Sequence, residues 1–149
     1  MMATEALARE AITQAATAGE AMQAAVSLLK QRPDYSWVGI YLLDGNELVL
    51  GPYLGKPSPH TRIPLGRGIC GAAATEKATI IVDDVNADPR YLACSVETKS
   101  EIVAPIMFDG AVLGEIDIDS DKLAAFGAED RALVESVAAM LAPKLAGRK

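Results

Sequence analysis

Two hairpin-like segments constrain the fold of this chain more than any other feature of its sequence. Each joins two runs of branched and aromatic residues across an Asp-Gly dipeptide, at Asp44-Gly45 and again at Asp109-Gly110. Asp-Gly between such runs is a strong signal for a tight antiparallel hairpin. The predicted strands are 37–43, 47–50, 102–108 and 112–118. The middle of the chain is therefore predicted to be a mostly antiparallel sheet.

Both ends of the chain are predicted to be helical. In residues 3–31, apolar side chains recur at three- to four-residue steps, which is the period of an amphipathic helix. Thr17 and Glu20 have the spacing of a capping box, so a second helix is predicted to start there, and Pro33 ends the segment. A further helix is predicted from Ala128 onward. Its apolar face comprises Leu133, Val134, Val137, Leu141 and Leu145.

The segments between these elements complete the predicted architecture. Residues 55–61 contain two prolines, which remove backbone donors, and are predicted to be a loop. A glycine-rich stretch at 66–71 leads into a short helix at 72–74, and 79–82 is predicted to be a strand, followed by a long loop at 83–99. Together the elements predict an α+β fold. The terminal helices are expected on one face of the sheet and a ligand pocket under the loops on the other.

Length and charge limit the class of protein. A chain of 149 residues, half of them hydrophobic, fits a single domain spanning 1–149. The net charge of −6, without a cluster of Lys and Arg, argues against nucleic acid as a partner. No apolar run approaches the roughly 20 residues needed to span a bilayer, and Glu5, Arg9 and Glu10 make the N-terminus unlike a signal peptide. We therefore expect a cytoplasmic protein with no membrane partner.

A pair of carboxylates on the last predicted strand is the most informative local feature. Asp117 and Asp119 are two residues apart, so their side chains point to one face of the strand. Because like charges repel, the pKa of one carboxyl should rise until it can donate a proton, while its ionised partner can bind an ammonium group. The alternative is a solvent-facing sheet edge. Both interpretations place Ile116 and Ile118 on the opposite, core-facing side.

Seven short motifs follow one another along the chain. They are Ser-Trp-Val-Gly-Ile-Tyr-Leu (36–42), Leu-Gly-Pro-Tyr (50–53), Arg-Ile-Pro-Leu-Gly-Arg-Gly-Ile-Cys-Gly (62–71), Asp-Asp-Val (83–85), Ala-Cys (93–94), Ser-Glu-Ile-Val-Ala-Pro (100–105) and Gly-Glu-Ile-Asp-Ile-Asp-Ser (114–120). In this order they resemble the free methionine-(R)-sulfoxide reductases, a branch of the GAF domain family, from about Trp37 to the last helix. The resemblance implies a GAF fold and reduction of free methionine (R)-sulfoxide to methionine, with no cofactor.

Two cysteines are candidates for the nucleophile that attacks the sulfoxide sulfur. The resemblance favours Cys94, which matches the family's cysteine before the Ser-Glu-Ile motif. Cys70 is the alternative, since it lies near the start of the predicted short helix, where backbone amides lower the pKa of a thiol. Outside such motifs, a free cysteine is most often a small buried apolar residue. The resemblance implies that the sulfenic acid condenses with the second thiol, and that a thioredoxin-like reductant restores both.

The resemblance also implies roles for carboxylates and aromatic residues. Glu101, Asp117 and Asp119 match residues that act in catalysis and bind the substrate. Trp37 matches a pocket wall beside the methyl group and sulfur of the substrate, with a core tryptophan as the alternative. Tyr41 is four residues further on and shares its strand face. Several carboxylates in a closed pocket favour the ammonium group of free methionine sulfoxide over a peptide-bound residue.

One position departs from the family pattern. Many members carry a third cysteine in the loop before Arg-Ile-Pro, where this chain has His60. The sequence is therefore compatible with two functions. One is catalytic reduction of the sulfoxide, and the other is a non-catalytic GAF module that binds a small molecule or senses redox state. His60 is predicted to be an exposed loop residue and no metal site is expected, because the sequence lacks the short Cys-x-x-Cys pairs of structural zinc sites. A homodimer through the terminal helices is compatible with either function.

Overall fold

The computed structural model describes residues 1–92 and 97–147, which form a six-stranded sheet with helices on both faces. The helices are α1 (Met2–Gln14), α2 (Ala18–Lys30), α3 (Gly68–Glu76) and α4 (Ala128–Ala146). The strands are β1 (Trp37–Asp44), β2 (Glu47–Leu54), β3 (Arg62–Pro64), β4 (Ile80–Val82), β5 (Ser100–Phe108) and β6 (Ala111–Ser120). The strand order is β3-β2-β1-β6-β5-β4, and each of these pairings is antiparallel. The predicted α+β fold is confirmed.

Both Asp-Gly dipeptides close hairpins as predicted. Gly45 joins β1 to β2 with a φ of 61°, and Asp109 and Gly110 join β5 to β6 with φ values of 50° and 78°. These are left-handed conformations, which glycine adopts freely and aspartate tolerates better than most residues. The local chemistry of the turns therefore fixes the β1–β2 and β5–β6 pairings, which lie on either side of the central β1–β6 pairing.

The N-terminal segment divides into two helices at the predicted capping box. The Thr17 hydroxyl accepts a hydrogen bond from the backbone N–H of Glu20 at 3.1 Å. The Glu20 carboxylate accepts one from the backbone N–H of Ala16 at 3.0 Å. The first bond satisfies a backbone donor in the first turn of α2, and the second holds the residue before the N-cap Thr17. Since α2 ends at Lys30, before Pro33, both predicted boundaries are confirmed.

The three long helices α1, α2 and α4 cover one face of the sheet. Alternate residues of β1, β5 and β6 point toward them, as the two-residue period of a strand requires. The fully buried strand residues on this face are Val38, Ile40, Ile102, Ala104, Ile106, Ile116 and Ile118. The opposite face, called the pocket face below, is covered by α3 and loops. Within the described part of the chain, no helix combines the length and apolar character needed to cross a membrane.

The short strand β3 differs from the prediction, which left this segment without a regular element. Ile63 lies opposite Leu48 of β2, and both side chains are buried on the pocket face. The pairing joins segments that are distant in sequence, so no local signal announces it. Pro64 is tolerated because β3 is an edge strand, where a missing backbone donor costs little.

Ile118→Ala is expected to lower the free energy of unfolding by about 2–5 kcal/mol, because it removes a fully buried side chain packed between sheet and helices. Urea denaturation followed by circular dichroism measures this loss. Leu123→Ala is the matched control: that side chain is 60% exposed, and its loss should change stability by no more than about 0.5 kcal/mol. Equal losses in the two variants would contradict the placement of Ile118 in the core.

Candidate active site

Three carboxylates occupy alternate positions of β6 and share the pocket face. Glu115, Asp117 and Asp119 are 0%, 2% and 4% exposed, respectively. The alternating Ile116 and Ile118 lie in the core on the other side, as predicted. The alternative of a solvent-facing sheet edge is therefore wrong, because these carboxylates are buried.

The neighbouring strands bring the predicted partners to the same face. Asp119 pairs with Trp37 on β1 and with Glu101 on β5. Glu115 pairs with Tyr41 on β1. Residues directly opposite each other in a ladder have side chains on the same face. The sheet register therefore collects Glu101, Glu115, Asp117 and Asp119 into one buried group, called the acidic cluster below.

Helix α3 places Cys70 over the acidic cluster. The helix begins at Gly68, earlier than predicted, so that most of the glycine-rich stretch is helical. Gly71 allows the preceding loop to approach closely, since a Cβ there would lie 2.9 Å from the backbone nitrogen of Gly66. Cys70 is 5% exposed, and its Sγ donates a hydrogen bond to Oδ2 of Asp117 at 3.4 Å. The thiol thus contacts the carboxylates directly.

Burial raises the pKa of the three β6 carboxyls. The negative charge of Asp117 raises the pKa of Glu115 and Asp119 further, whereas hydrogen bonding to Glu101 opposes the effect of burial at Asp117 and Asp119. Because like charges in a low dielectric repel strongly, burial and the neighbouring charges both favour protonated carboxyls in this cluster. It can therefore present an acid and an anion side by side, as the Asp117–Asp119 spacing predicts.

The electrostatic argument for Cys70 as the more reactive thiol is wrong. Cys70 does lie in the first turn of α3, where amides favour a thiolate. However, burial raises its pKa well above the usual value, and the charges of Asp117, Glu115 and Glu101 raise it further. Desolvation and three nearby carboxyls outweigh the helix terminus. Cys70 is therefore a protonated thiol at neutral pH.

A cavity of about 80 Å³ lies beside Trp37 and Asp119. Its other walls come from Ser36, the loop residues 56–58 and the segment at Glu97 and Thr98, with Asp121 at the edge. Trp37 is 8% exposed, its Nε1 donates to the carbonyl of Lys56 at 2.9 Å, and its ring stacks on Tyr53 with centroids 5.6 Å apart. The tryptophan is therefore both buried, as in a core, and part of a cavity wall.

A second, smaller cavity of about 20 Å³ lies beside Cys70, Glu101 and Asp117. Tyr41 and His60 contribute to its lining, and the Tyr41 hydroxyl donates to the carbonyl of His60 at 2.8 Å. The prediction that His60 is an exposed loop residue is wrong, because it is half-buried and lines this cavity. The Tyr41 hydrogen bond holds the loop against the sheet.

Gly39→Ala is expected to displace Trp37, because the added Cβ would lie 2.3 Å from the indole ring. Trp37 is the single tryptophan of the chain, so its fluorescence emission should move to longer wavelength, and stability should fall by about 1–3 kcal/mol. Gly19→Ala is the control: the nearest atom to its Cβ is 3.8 Å away, and alanine favours the helix. Unchanged emission in Gly39→Ala would contradict the close packing of glycine and indole.

The sequence profile of the GAF domain matches residues 17–145. The chain belongs to the GAF domain family. This chain is 37% identical to the free methionine-R-sulfoxide reductase of Escherichia coli over 119 residues, which cover 80% of this chain and 72% of that protein. The resemblance inferred from the seven motifs is confirmed.

Two solved structures resemble this GAF domain over nearly its whole length. A type II free methionine-R-sulfoxide reductase from Thermoplasma acidophilum is 40% identical with a TM-score of 0.82, covering 95% of this chain and 94% of that one. The free methionine-R-sulfoxide reductase of Neisseria meningitidis, in complex with its substrate, is 34% identical with a TM-score of 0.91, covering 96% and 86%.

The structure brings together six of the seven residues expected at the site of this GAF domain. They are Trp37, Tyr41, Cys70, Glu101, Asp117 and Asp119. Cys94, the expected nucleophile, lies outside the described residues. Glu115 was missed although a signal was present: it extends the two-residue period of Asp117 and Asp119 by one step, and so had to share their face.

Proposed function

We propose that this GAF domain reduces free methionine (R)-sulfoxide to methionine. The observation that carries the proposal is the buried acidic cluster, which lies between a thiol at Cys70 and a tryptophan-walled cavity at Trp37. Burying several carboxyls without positive partners lowers the stability of the fold, and a bound cationic group would offset that cost. The similarity to free methionine-R-sulfoxide reductases, one of them in complex with its substrate, supports the same function.

Asp119 is positioned to bind the ammonium group of the substrate. It lines the larger cavity together with Trp37, whose ring offers an apolar wall for the methyl group and sulfur. The positive charge of a bound ammonium favours the ionised form of Asp119, which then forms a strong, charge-assisted hydrogen bond with it. A peptide-bound methionine sulfoxide has no such charge next to its side chain, so a single free amino acid is the preferred substrate.

Cys94 acts as the nucleophile in this proposal. Its thiolate attacks the sulfoxide sulfur, and the sulfoxide oxygen takes a proton and ends on the cysteine as a sulfenic acid, so that methionine leaves. A protonated carboxyl of the acidic cluster is suited to supply the proton, because burial raises the pKa of Glu115, Asp117 and Asp119. Cys70 then condenses with the sulfenic acid, which forms a disulfide and releases water. A thioredoxin-like dithiol in the cytoplasm returns both cysteines to thiols.

We further propose that residues 1–149 form one domain that dimerises through its terminal helices. Helix α1 precedes the matched residues 17–145, yet packs on α2 and α4 through Ala8 and Ile12. On its outer side Met2 and Leu7 are 84% and 53% exposed. Light scattering should give twice the chain mass of 15.6 kDa at micromolar concentration, and a monomeric mass would contradict the dimer.

A second function, ligand binding or redox sensing without turnover, is favoured by one observation. Cys70 is kept protonated by its surroundings, and the loop position of the family's third cysteine is His60. A thiol that does not ionise resolves a sulfenic acid slowly. Binding of methionine sulfoxide without any product formation would identify this function.

The test of the proposed function is the fate of racemic free methionine sulfoxide with dithiothreitol as reductant. We expect the protein to consume the R diastereomer, with one methionine formed for each sulfoxide lost, and to leave the S diastereomer intact. Chiral chromatography resolves the two. Loss of neither diastereomer, or equal loss of both, would refute the proposal.

A further inference from the structure

Three potential metal ligands meet at the smaller cavity of the pocket face. We propose that Cys70, Glu101 and Asp117 bind a single Zn²⁺ ion. One sulfur and one carboxylate oxygen from each acid lie within 4.8 Å of one another, and all three residues are buried. Sequence spacing does not predict this site, because its ligands come from three separate elements, α3, β5 and β6.

The separations suit a tetrahedral ion. With zinc–sulfur and zinc–oxygen distances of about 2.3 Å and 2.0 Å, ligand atoms of a tetrahedral site lie roughly 3.5 Å apart. Sγ of Cys70 and Oδ2 of Asp117 are 3.4 Å apart. Ligand atoms at the upper limit of 4.8 Å need only a small side-chain movement to close on the ion.

An unpartnered oxygen is a second, independent observation that points to a cation. Oδ1 of Asp117 has no hydrogen-bond partner among the described residues, although the side chain is 2% exposed and lines the cavity. Buried lone pairs without donors are costly, and a coordinated cation removes that cost.

The donor set selects the kind of metal. One thiolate with two carboxylates suits a borderline ion such as Zn²⁺, whereas Ca²⁺ and Mg²⁺ prefer all-oxygen sites. The cavity of about 20 Å³ has room for a water molecule as the fourth ligand. Among the described residues that line it there is no Lys or Arg to repel the ion. On binding, the Cys70 thiol loses its proton to solvent and the sulfur bonds to zinc.

A zinc ion at this position prevents methionine sulfoxide from binding, because Glu101 and Asp117 cannot contact the ion and the substrate at the same time. This consequence rests on the proposed function: zinc inhibits the reductase reversibly, and a chelator restores activity. The binding itself does not depend on the reaction. Zinc affinity and methionine formation can therefore be measured separately, so that one proposal can fail while the other stands.

The test uses Co²⁺ as a spectroscopic substitute for zinc, added to the full-length protein with its thiols reduced. We expect one Co²⁺ per chain and a near-ultraviolet band from sulfur-to-cobalt charge transfer, which Zn²⁺ abolishes by displacement. Cys70→Ala should lose the band. Asp117→Asn and Glu101→Gln should each weaken binding by at least about tenfold. Cys94→Ser, which removes the other thiol, should keep both the band and the stoichiometry.

Three results would overturn the zinc site. They are a charge-transfer band that persists in Cys70→Ala, a band lost in Cys94→Ser, and the absence of Co²⁺ binding to wild type up to millimolar concentration. Thermal unfolding of each variant by circular dichroism shows whether it is folded. If Cys70→Ala does not fold, unchanged affinity in both carboxylate variants refutes the site equally well.

Discussion

Cys94→Ser should form no methionine even in a single turnover, whereas Cys70→Ser should form about one methionine per chain before it stalls. The loss in Cys94→Ser should exceed about 1,000-fold in rate, as is usual when a nucleophile is removed. The physical reason for the difference is the environment of Cys70. Burial and the neighbouring carboxyls raise the pKa of its thiol, so it is poorly suited to attack a sulfoxide.

Rapid mixing of stoichiometric methionine (R)-sulfoxide with reduced protein, followed by amino-acid analysis, measures this first turnover. Cys70→Ser should then show its defect only in steady state with thioredoxin, because the resolving step follows the departure of methionine. The reverse pattern, with methionine formed by Cys94→Ser and none by Cys70→Ser, would make Cys70 the nucleophile and contradict the assignment.

Asp119→Asn should raise KM for free methionine (R)-sulfoxide by about 10- to 100-fold, which is the range expected for the loss of one charge-assisted hydrogen bond. Asp119 lines the larger cavity beside Trp37 and is 4% exposed, so its ion pair with the ammonium of a bound substrate forms in a low dielectric. The amide keeps the shape of the side chain but cannot pair with an ammonium group. Steady-state kinetics with dithiothreitol give KM and kcat separately.

The stability of Asp119→Asn separates a binding role from a structural one. Burial and the charge of Asp117 raise the pKa of Asp119, so its ionised form destabilises the fold and the variant should be no less stable than wild type. Asp109→Asn is the matched control, since this exposed hairpin carboxylate lies in the turn between β5 and β6. A KM change of the same size in both variants would contradict the placement of Asp119 at the substrate.

The elements of the fold were predictable where the signal is local. The Asp44-Gly45 and Asp109-Gly110 turns and the Thr17–Glu20 capping box each act within four residues, and the structure confirms all three. Strand β3 was not predictable, because its pairing with β2 depends on contacts between segments distant in sequence.

The candidate site was predictable in its composition but not in its depth. The alternation of side chains along β6 places Asp117 and Asp119 on one face of the sheet. Whether that face is shielded from water depends on the packing of α3 and the loops over it. The same packing reverses the expected pKa shift of Cys70, since a helix terminus acts on a thiol only within its actual surroundings. It also turns His60 from an expected surface residue into part of a cavity wall.

The most direct test of whether the buried acidic cluster recognises the ammonium group of a free amino acid compares two substrates. Free methionine (R)-sulfoxide and its N-acetyl derivative share the reacting sulfoxide and differ in the positive charge of the amino group. We expect kcat/KM to be at least about 100-fold higher for the free amino acid, since acetylation removes the ammonium that a buried carboxylate would bind. Equal values of kcat/KM for the two substrates would contradict that role.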